Sequence, residues 1–466
     1  MKATVMTVAA LAACAASAMT AKTSWTQRWP WETKVDIDFT LDGEGKCDVS
    51  VTANFTTNGV PGSFDLERAG LEGGVWELRS GCHHLAWDPA AAGFDVGELK
   101  DFSVTVTPVE DPLESRTWLV WDLASGTYTY CAKNDAPVDS NGWPWQDSAY
   151  KTAKMVFRRI PAGTFTMGYT QEQLDWLTQM SDQPPKTPCH QVPAHPVELT
   201  SDYYIGIYEV TRGQIHRIHD ATSTVTSAFP WHAGALNNSD AVLYPFGGGT
   251  MCFLRGSNSV DNINWPVTKY RVKPGTWIDK ARKRAGGRLM IDLPTAAQWQ
   301  RAARPDSDVF WYAATGKNGV TTDGGKVGDS AQALSNVLAV ISQVIEQNAS
   351  PNQYTQPNSC GLYAPNSFGL YDTVGTRVEH ILDQFSSAAK IAEETLDPVG
   401  PASNDHSLSV TFNSFIVHQS LLGWGMASMT ANYMQRDRAY TDVNTAMLFR
   451  FAIHLKPPRS FEGKWE

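Results

Sequence analysis

Carboxylates, histidines and cysteines are the residues through which this chain could do chemistry. In "NSFGLYDTVGTRVEHILDQF", Asn366 to Phe385, Asp372, Glu379 and Asp383 stand among glycines and apolar residues, in a protein where only 18% of residues are charged. Hard oxygen donors beside a glycine that permits a sharp turn suit a cation loop, and the same carboxylates can also hold a turn without metal. His83 and His84 follow Cys82 in "SGCHHLAWDP". On a strand, adjacent side chains point to opposite faces, so these two rings are expected not to converge. His216 and His219 are three apart on a helix, with no third ligand nearby in sequence. Glu393 and Glu394 in "KIAEETLDP" read as an exposed segment and not as an acid–base dyad. No G-x-S-x-G, P-loop, dinucleotide fingerprint or H-E-x-x-H spacing occurs.

The elements that must position these groups fall into two halves. "VDIDFTL", "CDVSVTANFTT", "VWELRS" and "FSVTVTPV" alternate apolar and polar residues, with "DGEGK", "NGVPG" and "GLEGG" between them as turns. This pattern predicts an antiparallel β-sandwich over about residues 25–135, followed by a Gly/Pro/Asp/Asn-rich linker at 136–150. A second domain is expected at 151–457, with a tail at 458–466. Within it, Thr211 with Gln214 and Thr295 with Gln298 have capping-box spacing, so each predicts a helix start. Trp299, Ala302 and Ala303 form the buried stripe of the second helix, and Pro305 ends it. The overall class is therefore α+β.

At 466 residues, with 42% hydrophobic content and 17 Trp, the chain is long enough for two cores. A net charge of −10 argues against nucleic acid, and the one dense basic run, Lys280 to Arg288, reads as a solvated face. The first 18 residues read as a signal peptide with Ala16-Ser17-Ala18 before the cut, a cut as late as residue 21 being the alternative. "LAAC", Leu11 to Cys14, also fits a lipoprotein signal that would anchor Cys14 to lipid, although an alanine-rich run produces such a match easily. No later run is apolar enough for a transmembrane segment. The protein is thus expected to be exported, to the periplasm, cell surface or medium. Six cysteines, Cys47, Cys82, Cys131, Cys189, Cys252 and Cys360, would follow the signal peptide; disulfides are permitted and no pairing is assignable.

Taken in order, "IPAGTFTMG", "YYIGIYEVTRGQ", "LPTAAQWQRAAR" and "NSFGLYDTVGTRVEH" resemble the formylglycine-generating-enzyme family, also called sulfatase-modifying factor. "MLFRFAIHLK", Met447 to Lys456, is similar to that family's closing strand, and the resemblance spans about residues 155–456. It implies a variant of the C-type-lectin fold with little regular secondary structure. It also implies oxidation of a sulfatase cysteine by oxygen and copper(I), a soft ion held by two thiolates. The family cysteines match Val417 and Leu422, beside Ser414 and His418, and no cysteine follows Cys360. Copper is therefore not expected.

The same resemblance implies structural calcium at Asp372, the carbonyls of Gly375 and Arg377, and Glu379. A second site would use Asn336, the Val337 carbonyl, Asn352 and the Tyr354 carbonyl, although neutral Asn352 replaces a family aspartate. The expected function is a non-catalytic binding or scaffold module that takes a peptide, protein or glycan ligand in the former substrate groove. The alternative is a family enzyme, formylglycine-generating or another metal-dependent oxidase, with an altered site.

Overall fold

The structure is a computed structural model that describes residues 19–57, 60–68, 70–94, 101–168, 170–172, 194–219, 241–246, 251–255, 272–305, 314–315, 321–322, 359–362, 365–373, 378–384, 395–398, 409–413, 432–433 and 448–456. The chain divides into two compact units, Met1–Pro112 and Leu113–Glu466.

The first unit is antiparallel sheet organised on one long strand. Its strands are β1 (Thr20–Gln27), β2 (Val35–Thr57), β3 (Val60–Asp65), β4 (Leu71–Glu72), β5 (Leu78–Trp87) and β6 (Ser103–Val109). The first half of β2 pairs with β1 and β5, and its second half with β3 and β6. On either side of an interruption, odd-numbered side chains point inward: Val35, Ile37, Phe39 and Leu41, then Cys47, Val49, Val51 and Ala53, are buried. "DGEGK" was expected to reverse the chain and instead lies inside β2. Gly43 and Gly45 take positive φ there, and the pairing with β5 slips between Leu41 and Lys46. The buried face continues in phase across the interruption, because Leu41 and Cys47 are an even number of positions apart.

In the second unit the main sheet has the order β13-β19-β12-β9-β7-β8, with β7 (Trp118–Asp122), β8 (Tyr128–Cys131), β9 (Lys154–Ile160), β12 (Tyr203–Gly206), β13 (Ile291–Asp292) and β19 (Ala452–His454). Its neighbours all pair antiparallel. Smaller ladders join β10 (Gly163–Met167) to β11 (His195–Leu199), and β14 (Ala314–Thr315) to β15 (Thr321–Thr322). A third ladder joins β16 (Val378–Gln384), β17 (Ser409–Asn413) and β18 (Asn432–Tyr433).

This arrangement corrects the expected boundaries. Residues 118–131, read as part of a domain ending at 135, are the edge hairpin of the second unit's sheet. "WLVW" is buried at every position, as suits an inner strand covered on both faces. The expected linker at 136–150 is packed: Trp145 is buried and its ring lies 5.9 Å from Trp118 and 4.9 Å from Tyr150.

Besides a single helical turn at Pro112–Ser115, the described α-helices are α1 (Arg212–Ile218), α2 (Met251–Arg255), α3 (Trp277–Arg284) and α4 (Ala296–Ala303). Both expected capping boxes form. Thr211 Oγ1 accepts from the Gln214 N–H at 3.2 Å while Gln214 Oε1 accepts from the Thr211 N–H at 3.0 Å; Thr295 and Gln298 repeat this at 3.1 and 2.9 Å. Trp299, Ala302 and Ala303 are buried as the stripe predicted. The basic run is not wholly a solvated face. Arg282 on α3 turns inward to the Ile291 carbonyl and the Asp292 carboxylate, which Arg255 also engages. Among the described residues no helix is long and apolar enough to cross a membrane.

Candidate functional site

The segment from Asn366 to Gln384 carries the carboxylates that drew attention in the sequence, and several of its residues hold the fold together. Asn366 Oδ1 accepts from the Phe368 and Leu370 N–H groups, both at 3.0 Å, closing the turn. Its amide donates to the carbonyls of Ala302 and Ala303, at 2.8 and 3.2 Å. Those carbonyls end α4 and have no partner within a helix, so Asn366 ties the turn to the helix terminus. Gly369 has φ +82°, and a Cβ there would meet the Trp118 ring at 2.6 Å, so only glycine fits. Tyr371 stacks on Tyr208 with centroids 4.7 Å apart and donates to the Pro144 carbonyl at 2.6 Å.

Asp372 and Glu379 face a buried polar centre whose hub is Arg450, on the segment leading into β19. Arg450 donates from Nε to Glu379 Oε2 at 2.8 Å and from Nη2 to Oε1 at 2.7 Å, and both side chains are fully buried. The Trp299 indole N–H adds a third donor to Oε2 at 2.9 Å. Arg450 also reaches the Gly206 and Tyr371 carbonyls at 3.2 and 3.3 Å, joining β12, the turn and the closing strand. Asp372 adopts φ +55° and accepts the Gly361 N–H at 2.6 Å. Burial pushes its carboxyl up to about 6, against the pull of that hydrogen bond and of Arg450 and Lys151.

Lys151 completes this centre. Its Nζ donates to Gln146 Oε1 at 2.7 Å and to the Cys360 carbonyl at 2.9 Å, and lies 5.0 Å from the centre of the Tyr208 ring. Burial lowers its pKa, since the interior disfavours the ammonium form. Cys360 is buried with Sγ on the Glu209 carbonyl at 3.9 Å, and burial drives its thiol well above the ordinary range.

The expected sites meet the structure unevenly. Asp372 and Glu379 are described, whereas Gly375 and Arg377 lie outside the described residues, as do Asn336, Val337, Asn352 and Tyr354. Ser414, Val417, His418 and Leu422 also lie outside them, just beyond β17. For calcium the fit is divided. Asp372 supplies a buried carboxylate, but the charge of Glu379 is already matched by a two-point guanidinium pair. Among the described residues no group of three or more His, Cys, Asp or Glu is gathered as a metal would need.

The adjacent histidines on β5 face opposite sides, as a strand requires. His83 stacks on Phe39 while His84 meets Asp38 on the other face of β5, and His219 packs on Trp277 and accepts from Lys280. The sequence reading did not single out Arg450 or Lys151. The available signal was a cation inside an apolar run, "LFRFAI", where a buried charge must have a buried partner.

The Asn366 turn bound to α4 and the two capped helices lie within the part of the chain that matches known proteins. A model of the sulfatase-modifying factor enzyme 1-like domain matches residues 144–417. The match begins within the expected linker, next to Trp145, and takes in both capping boxes and the Asn366 turn. A protein of Thermomonospora curvata named formylglycine-generating enzyme is 26% identical over 315 residues, covering 62% of this chain and 91% of that protein. No solved structure matches the chain. With more than half of its length matched, the chain belongs to the sulfatase-modifying factor enzyme 1-like family.

Proposed function

We propose that this protein is an exported binding or scaffold module of the family in which copper-dependent cysteine oxidation has been lost. The observation that carries the reading is the placement of thiols. No cysteine follows Cys360, and Cys360 itself is a buried thiol whose environment disfavours the thiolate that copper(I) requires. Val417 and Leu422, at the positions of the family cysteines, offer no donor atom. The first unit, taken as a β-sandwich, would act as a spacer or adhesion module, and the second, taken as a C-type-lectin variant, would keep the groove as a ligand surface.

The T. curvata relative generates formylglycine according to its name, and the test is set against that activity. Purified protein is incubated with copper(I), oxygen and a sulfatase-type cysteine peptide, and the peptide is examined for the aldehyde. No aldehyde above a metal-free control is expected; product would overturn the reading in favour of a family enzyme with an altered site.

The reading includes a structural calcium ion on Asp372 and the carbonyls of Gly375 and Arg377, with Glu379 shared between the ion and Arg450. Its support is a buried carboxylate at a turn beside a glycine. Melting should rise with millimolar calcium and fall with EDTA, and an unchanged melt removes calcium from the reading. Export is tested by sequencing the mature terminus, expected after Ala18 or up to residue 21, with a lipidated Cys14 as the contrary outcome.

A further inference from the structure

The first unit presents a surface that lies outside the residues matched to the family. Between β1 and β2 the chain turns at residues 28–34, and the turn is closed by its own backbone: the Arg28 N–H donates to the Lys34 carbonyl at 2.9 Å and the Trp31 N–H to the Arg28 carbonyl at 3.0 Å. On it Trp29 is 42% and Trp31 88% exposed, while Trp87 of the same unit is fully buried. An indole held in water by an ordered turn keeps a large apolar surface available for a partner.

Beside the turn runs a row of planar polar groups. The strand register sets Asp38 opposite His84, with Asp36 one pleat nearer the turn. His84 Nδ1 meets Asp38 Oδ1 at 2.9 Å and its Nε2 lies 3.5 Å from Asp36 Oδ1. Arg28 donates to the other end of the row, from Nε and Nη2 to the Asp36 carboxylate at 2.9 and 2.7 Å.

We infer that the Trp29–Trp31 turn and the row from Arg28 to His84 form a binding site for an uncharged polysaccharide. A pyranose ring has a C–H face that stacks on an indole and a rim of hydroxyls that both donate and accept. Carboxylate, imidazole and guanidinium are planar groups with paired hydrogen-bonding positions, suited to neighbouring hydroxyls. These groups are held by one another, so little side-chain entropy is lost on binding.

Charge selects among partners. Between residues 19 and 112, sixteen acidic residues stand against seven basic ones, which repels nucleic acid, anionic polysaccharide and anionic lipid. A purely apolar partner would strip water from the charged row without replacing its hydrogen bonds. A neutral, hydroxyl-rich chain meets both conditions. The site is independent of the groove proposed for the second unit.

The test is native affinity electrophoresis of the full-length protein through gels containing hydroxyethylcellulose, galactomannan or mixed-linkage β-glucan. Retardation is expected in at least one gel. Trp31→Ala should weaken it about tenfold or more, the scale of one well-stacked ring, with smaller losses for Trp29→Ala and His84→Ala. Melting of the Trp31 variant should match wild type, since the ring is almost wholly in water. No retardation in any of the three gels overturns the inference. Retardation that Trp31→Ala leaves undiminished assigns the binding to another part of the chain and also overturns it. Binding to phosphatidylcholine vesicles that needs Trp31, without retardation in the gels, overturns it in favour of a lipid surface.

Discussion

Ion pairs of the first unit stand at its surface, where Arg28 bridges Glu32 and Asp36, Lys34 reaches Glu72, and His84 reaches Asp38, all with water on at least one partner. The second unit also carries a surface pair, Lys283 with Asp279, but its central pairs are turned inward. Arg450 with Glu379, and Arg255 and Arg282 with Asp292, sit where hardly any side-chain surface remains exposed. The same chemical pairing therefore does different work. A surface pair is screened and contributes little to stability, so its groups remain available for recognition. A buried pair has lost its hydration, so each member depends on the other, and the pair specifies which segments must meet. The regular sheet of the first unit needs no such clasps because its backbone ladder and alternating core already define it. The irregular second unit uses them where ladders are short.

Breaking the central clasp should have the largest effect. Arg450→Ala leaves Glu379 buried without its cation and is expected to cost the second unit about 3–5 kcal/mol. Chemical denaturation followed by the tryptophans of that unit would measure it. Arg450→Lys should recover only part of the loss, because an ammonium cannot reproduce the two-point pair.

His454 gives the next effect. Its Nε2 faces the Leu293 carbonyl at 3.1 Å, and its Nδ1 faces the Gln298 amide nitrogen at 3.2 Å, so the neutral ring with Nε2–H satisfies both. Burial pushes its pKa down to about 4, against the attraction of Asp292, while an unfolded histidine titrates near its ordinary value. Between those values the unfolded chain binds more protons, so stability falls as pH is lowered from about 6.5 towards 4. The full effect is about 3 kcal/mol. Unfolding of wild type and His454→Gln across that window should show a smaller pH slope in the variant; equal slopes would remove His454 as the cause.

Trp299→Phe tests the clasp more gently, by deleting one donor to Glu379 while keeping most of the ring. A loss of about 1–3 kcal/mol is expected in the same denaturation assay. At the small end, Arg28→Ala should leave the denaturation midpoint of the first unit nearly unchanged, since its pairs are exposed and screened. A loss as large as that of Arg450→Ala would erase the contrast between the two units.

Much of this was legible in the sequence for reasons that are local. Alternation along Val35–Leu41 and Cys47–Ala53 identified a half-buried strand face, because side chains on a strand point to alternate sides whatever their partners. Thr211 with Gln214 and Thr295 with Gln298 identified helix starts, because a capping box closes within four residues. The carboxylates of the Asn366 turn were visible, but their partners were not. Nothing near Glu379 in sequence announces Arg450, 71 residues away, or Trp299, 80 residues away.

By itself, then, the sequence determined the strand periodicity, the two capped helices, the family motifs and the absence of thiols beyond Cys360, each a property of residue type and short spacing. Tertiary structure decided that "DGEGK" would be absorbed into β2, that "WLVW" would join the second unit's sheet, and that Glu379 would be neutralised by Arg450. Each of these outcomes depends on which distant segment supplies a hydrogen-bonding partner or a counter-charge. That choice is made when burial removes water, and it leaves no periodic trace in the residues on either side.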